Sequence, residues 1–207
     1  GSYTKPAQLY WQLGDDMSDS STPRHIPGIT DFQPPSVKSL QRTLSVANAW
    51  FSPLFLGLDK RDLSKPALWV GNHTLYGLFD VPLLVEYLYR EQGVFVRGLG
   101  DRAHFAVPGW SQLLVKAGMV LGTPENCAAL MQSGQHVLVF PGGGREVMRR
   151  KGEDYQLIWK NRSGFARLAI EHGYDIIPFG ALGADENFDI LLDAGEVSRS
   201  RLWTLFD

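Results

Sequence analysis

The chain of 207 residues has a single cysteine. One thiol excludes an internal disulfide framework and any zinc site built from several cysteines. An excess of charge of one sign is also missing. The formal net charge is −2, with 20 Lys and Arg against 22 Asp and Glu, so nothing draws the molecule as a whole to nucleic acid. No apolar run approaches the roughly 18–20 residues that a membrane-spanning helix needs. No secretory leader pattern opens the chain, and the expectation is an intracellular location. Paired-histidine metal motifs and the dinucleotide glycine fingerprint are absent, so neither a metal nor a bound cofactor is expected. A serine nucleophile elbow is missing too: Gly109-Trp110-Ser111-Gln112-Leu113 fails at its last position. What is present is ordinary for a globular protein, with 44% hydrophobic and 20% charged residues. Six tryptophans raise the aromatic share. They fit an aromatic-rich core, or surfaces that use amphipathic rings.

Residues 14–36 are rich in Asp, Ser and Pro, and residues 1–36 read as an irregular arm. From residue 37 the pattern changes. Val37, Leu40, Leu44, Ala47, Phe51, Leu54, Phe55 and Leu58 recur at helical spacing, with a break expected at Pro53. Such a stripe packs on a core, or it lies on a bilayer with Trp50 and Phe51 at the boundary. Further on, short apolar runs alternate with helical patterns. Strands are expected over 67–70, 94–97, 136–140 and 175–179. Helices are expected over 81–90, 108–116, 124–131 and 163–171. Thr123-Pro124 supplies an N-cap and a first-turn proline, and Gly173 a C-terminal stop. This alternation predicts an α/β domain over 37–207 with a mostly parallel sheet flanked by helices. Four strands are few for a covered sheet, so the expectation is either a domain cut short at its carboxyl end or a sequence from which disordered stretches are omitted.

Three stretches carry chemistry. The first is Gly71-Asn72-His73, followed by Asp80, at the end of the first strand. Ends of parallel strands are where sites form. His73 can act as a general base if a carboxylate holds its ring, or it is one more hydrogen-bonded structural histidine. A continuous helix would separate His73 from Asp80 by roughly 10 Å. Pro82 suits a first-turn position instead, so the helix starts near Val81, and Gly77 lets the intervening residues curl Asp80 back. The second stretch is Phe140-Pro141-Gly142-Gly143-Gly144-Arg145-Glu146. Three glycines let a ligand approach the backbone and let N–H groups converge on an anion, with Arg145 adding donors. The third is a basic cluster of Arg145, Arg149, Arg150, Lys151, Lys160, Arg162 and Arg167. It reads as a contact for anionic head groups or carrier phosphates, or as a solvated face partly neutralised by Glu146, Glu153 and Asp154. Cys127 lies in a helical pattern and reads as core.

In their order, the strand with Asn-His and Asp, then Pro108-Gly109-Trp110 through Val120, then Phe140–Glu146, then Ile176-Ile177-Pro178-Phe179-Gly180 resemble the four blocks of the glycerolipid acyltransferase superfamily. The resemblance runs over about residues 67–190. It implies that His73 takes the proton from an acceptor hydroxyl and that Asp80 orients the ring. The thioester is then attacked directly, without an acyl-enzyme. The family motif has four residues between His and Asp, whereas this sequence has six. The family's Phe-Pro-Glu-Gly-Thr-Arg block reads here with glycines, and Val120-Leu121-Gly122-Thr123 lacks the arginine that usually closes the second block. The glycine form resembles the branch with type-2 diacylglycerol acyltransferases, transmembrane-protein-68-like enzymes and plant phytyl ester synthases.

That resemblance implies an O-acyltransferase. It would move a fatty acyl group from acyl-CoA or acyl-carrier protein to a lipid hydroxyl, with a neutral acceptor such as diacylglycerol or a long-chain alcohol. Gly142, Gly143, Gly144 and Arg145 would line the substrate site, with Glu146 holding Arg145. The partners implied are a fatty acyl thioester, a lipid alcohol and a membrane surface, with the protein peripheral to the membrane. The alternatives are a lysophosphatidate acyltransferase, a thioesterase and a non-catalytic lipid-binding module.

Overall fold

A computed structural model of the chain describes residues 28–58, 62–74, 80–153, 155–183 and 186. Its centre is one sheet of five strands: β1 (Ala67–Gly71), β2 (Val96–Gly100), β3 (Val120–Leu121), β4 (His136–Val139) and β5 (Asp175–Phe179). They lie in the order β3-β2-β4-β1-β5, and every pair is parallel. The four expected strands are all present. β3 is a fifth, and its two residues are too short to stand out as a pattern. β1 is buried at each of its five positions, as a central strand of a sheet covered on both faces must be.

The helices follow their capping residues. α1 (Val37–Phe51) starts where the Ser36 hydroxyl accepts from Ser39 N at 3.2 Å, and it ends at Ser52, one residue before Pro53. α2 (Val81–Gln92) is capped by Asp80 and stopped by Gly93 in the left-handed region. α3 (Arg102–Phe105) was not expected from the pattern. α4 (Trp110–Lys116) begins two residues later than expected, because Gly109 has a φ of 81°. α5 (Pro124–Gln132) is capped by Thr123, α6 (Gly144–Val147) is a single turn, and α7 (Gly164–His172) stops at Gly173.

The alternation of β1 splits the core in two. Leu68 and Val70 pack with Leu130, Val137 and Ala169 on the α5–α7 side. Ala67 and Trp69 pack with Leu88, Val96 and Leu138 on the α2 side. Cys127 belongs to the first cluster, and burial pushes its thiol up to about 11. It is a core residue, as expected, and not a nucleophile at neutral pH.

At the amino ends of the strands, Arg97 of β2 is buried, with the charge of Asp31 acting on it and no salt bridge to its guanidinium among the described residues. It donates to Gly118 O at 2.6 Å, Gln135 Oε1 at 2.6 Å and Gly28 O at 2.5 Å, and it lies 3.8 Å over the Phe32 ring. Residues 28–36 are irregular, as expected, yet this contact fastens them to the sheet. The remainder of the expected arm, residues 1–27, and the end of the chain from 187 lie outside the described residues.

Candidate active site

β1 and β4 run side by side, with Val70 opposite Val139. Both chains leave the sheet at the same end, so Asn72–Thr74 and Phe140–Gly144 are brought together although nearly seventy positions separate them. Asn72 is buried and bonds Ala181 twice: Nδ2 donates to its carbonyl at 2.9 Å, and Oδ1 accepts from its N–H at 2.8 Å. This amide pair locks the end of β1 to the segment that follows β5.

His73 comes next, half-buried, its ring 4.3 Å from that of Phe140. Nδ1 lies 2.9 Å from the Thr74 carbonyl oxygen. A carbonyl only accepts, so the hydrogen sits on Nδ1 and the lone pair on Nε2. Burial pushes the ring's pKa below its ordinary value. The Thr74 carbonyl and the charges of Asp80 and Glu146 pull it up, and Arg149 pushes it down. The ring is therefore held toward its neutral form, and among the described residues no hydrogen bond is found on Nε2.

The main chain of His73 is gripped from both sides. Its N–H donates to Glu146 Oε2 at 2.9 Å, and its carbonyl accepts from Arg149 Nη2 at 2.5 Å. Glu146 has no exposed surface, and Arg149 is 4% exposed. The second oxygen of Glu146 accepts from Ile158 N at 2.9 Å, and Arg149 Nε donates to Glu146 O at 3.1 Å.

The glycine run is a tight turn leading into α6. Gly143 has φ 54° and ψ −148°, a region open only to glycine. Its N–H donates to Phe140 O at 3.0 Å. Arg162 braces the turn from outside, donating from Nη1 to Pro141 O at 2.9 Å and Gly142 O at 3.0 Å. Beside it lies a cavity of about 490 Å³, lined among others by Phe140, Pro141, Arg162, Ser163, Phe165 and Arg167.

One expected role is corrected and one is narrowed. Glu146 does not hold Arg145; its carboxylate is used by two backbone N–H groups. Arg145 is held by Glu153, with Nη2 at 2.6 and 2.8 Å from the two carboxylate oxygens, and it also donates to Met148 O. Asp80 caps α2, accepting from Val81 N at 2.8 Å. Its charge acts on His73, but no hydrogen bond joins the two side chains among the described contacts. The curl expected at Gly77 lies outside the described residues. Asn72, Arg149 and Arg162 were missed as site residues. Arg149 and Arg162 did stand in the basic cluster, and Asn72 in the first motif, but nothing in the spacing says which of them turns inward.

The family described as Acyltransferase matches residues 54–181. Phytyl ester synthase 2, chloroplastic, of Arabidopsis thaliana is 36% identical over 138 residues, 63% of this chain and 20% of that protein. Phytyl ester synthase 1, chloroplastic, of the same plant is 31% identical over 194 residues, 83% of this chain and 27% of that protein. A protein of Bos taurus described as a DGAT1/2-independent enzyme synthesizing storage lipids is 31% identical over 142 residues, 69% of this chain and 42% of that protein. The chain thus spans well under half the length of these relatives. No solved structure matches it. The family match takes in both strand ends that meet at His73 and extends over more than half of the sequence, and so the chain belongs to the acyltransferase family.

Proposed function

We propose that the chain transfers a fatty acyl group from a thioester donor to a lipid hydroxyl, with a neutral acceptor such as diacylglycerol or a long-chain alcohol. The observation that carries this reading is the tautomer of His73, whose Nε2 lone pair is left for chemistry. The acceptor O–H gives its proton to Nε2 as its oxygen bonds the thioester carbon. The carbonyl oxygen becomes an oxyanion, which the N–H groups of Gly142 and Gly144 stabilise, since that of Gly143 is given to Phe140 O. The C–S bond then breaks, and the leaving thiolate takes the proton back from the imidazolium. Asp80 favours that imidazolium through its charge.

A neutral acceptor fits because Arg145, the cation of the glycine block, is already neutralised by Glu153. The donor's phosphate-bearing carrier fits the cavity beside the turn, where Arg162 and Arg167 stand without carboxylate partners among the described residues. The relatives' names, phytyl ester synthase and enzyme synthesizing storage lipids, agree with esterification of lipid alcohols.

Both substrates partition into membranes. α1 carries Lys38 and Arg42 and no acidic residue, and Val46, Trp50, Leu54 and Leu56 are each more than three-quarters exposed. We read this strip as the surface laid on a bilayer. No helix among the described residues is long and apolar enough to cross one.

The test is acyl transfer from radiolabelled acyl-CoA to diacylglycerol, a long-chain alcohol and lysophosphatidate in parallel. Esters of the neutral acceptors should form, and His73→Ala should abolish them. A preference for the phosphorylated acceptor would overturn the neutral-acceptor reading. Full activity of His73→Ala would overturn the mechanism.

A further inference from the structure

A side chain at position 142 would have nowhere to go. A Cβ built on Gly142 overlaps Cγ, Cδ and Oε2 of Glu146. No positive φ requires glycine at 142, so the residue is small because Glu146 fills that space. Among the described residues, the carboxylate that arrives there bonds main chain alone: His73 N on one oxygen and Ile158 N on the other. Arg149, three residues after Glu146 and just past the end of α6, holds the other side of the same histidine.

We propose that Glu146, seated in the space cleared by Gly142, is the positioning residue for His73, and that positions 142 and 146 form one exchangeable unit. The unit's task is to deliver one carboxylate oxygen to His73 N–H. Which of the two positions supplies it is secondary. An aspartate at 142 carries its oxygens two bonds from Cβ, and the site of Glu146 Oε2 lies within that reach. Arg149 completes the clamp from the carbonyl side. Neither residue touches substrate in this scheme, and both act through the imidazole.

The proposal rests on His73 being the base, so one readout must not depend on turnover. The His73 ring is titrated by NMR in the full chain, and kcat and KM are measured with acyl-CoA and a long-chain alcohol. The charged groups that face the ring are Asp80, Glu146 and Arg149. Glu146→Gln removes a charge that favours imidazolium, so the ring should titrate at lower pH. Arg149→Gln removes one that opposes it, so the ring should titrate at higher pH. In both variants kcat should fall by about a hundredfold, the loss expected when a reacting group is misplaced by about 1 Å, with KM little changed. Glu146→Ala should lose at least as much. Adding Gly142→Asp to Glu146→Ala should recover at least tenfold of kcat and return the titration toward the wild-type position, a rescue that general loosening of the fold does not give.

The proposal is overturned if the double variant, folded as judged by its melting temperature, is no more active than Glu146→Ala. It is also overturned if the His73 titration is the same in Glu146→Gln, Arg149→Gln and wild type. If Glu146→Ala does not fold, the opposite shifts of the two glutamine variants decide alone. An active His73→Ala would remove the catalytic reading and leave the titration result standing.

Discussion

Two histidines sit at opposite ends of the central strands, and burial holds both below the ordinary histidine pKa. They differ in what their nitrogens do. His136, at the start of β4, accepts on Nδ1 from Ala67 N and Trp69 Nε1, each at 3.3 Å, and the Leu63 backbone pulls its pKa partly back up. Its lone pair is spent on the fold. His73, just past β1, gives its Nδ1 hydrogen to Thr74 and keeps Nε2. Two buried arginines repeat the contrast. Arg97 ties three loops together at the amino ends of the strands, and burial pushes it down to about 10. Arg149 holds the backbone of a residue with a nitrogen to spare. A depressed pKa and a buried charge are thus common to both ends of the sheet. An unspent lone pair beside an open turn is found at only one of these two histidines.

The strongest way to break this comparison is to remove each ring in turn. His73→Ala should cost about 10³-fold in kcat, within the span of general-base contributions, while the melting temperature changes little. His136→Ala should do the reverse, leaving kcat of the folded enzyme within a few fold and lowering stability by about 2 kcal/mol, because two buried donors lose their acceptor. Denaturant unfolding and initial rates measured on the same preparations separate the two outcomes. A loss of kcat in His136→Ala comparable to that in His73→Ala would dissolve the distinction.

Arg97→Leu removes three hydrogen bonds from a buried guanidinium and leaves the Gly28 and Gly118 carbonyls without their donor. The expected cost is about 3 kcal/mol in urea unfolding, with KM for either substrate unchanged. A milder probe is pH. In the proposed mechanism His73 works as the neutral ring, so kcat/KM should fall as pH drops through a midpoint below 6.5, the ordinary histidine value. His136 contributes stability that is present above 6.5 and lost as pH falls through its lower folded value. In His136→Ala the acid limb of the rate profile should stay while the pH dependence of stability flattens. The smallest effect concerns the surface strip. Trp50→Ser with Leu54→Ser should weaken sedimentation with anionic lipid vesicles several-fold, at roughly 2 kcal/mol or less per exposed side chain, without altering turnover of a soluble short-chain acceptor.

Much of this was legible in the sequence because strand and helix periods, capping residues and glycine stops are local signals. Asp175–Phe179 and the Thr123 cap fall where the pattern puts them. β3 escaped because two residues carry no period. α6 escaped because a glycine followed by Arg-Glu reads as a turn. His73 was found from its place at a strand end. Its immediate partner could not be, since the Thr74 carbonyl is a backbone atom that every residue has. The basic cluster misled for another reason. A run of Arg and Lys looks solvated, yet Arg149 is folded inward against a carboxylate-bearing turn and Arg162 spans back over twenty residues to the glycines. Sequence spacing gives charge, and only packing decides whether water or a carbonyl receives it.

The Asn72–Ala181 amide pair has a consequence for synthesis. Its two halves are 109 positions apart, and β1 finds its neighbours only among residues made much later. A chain growing from its amino end carries His73 early but has no partner for Asn72 until residue 181 has left the ribosome. Long-range parallel pairing of this kind also closes slowly. Nascent and prematurely terminated chains therefore hold His73 in an unassembled setting, without the Glu146 and Arg149 contacts on its main chain.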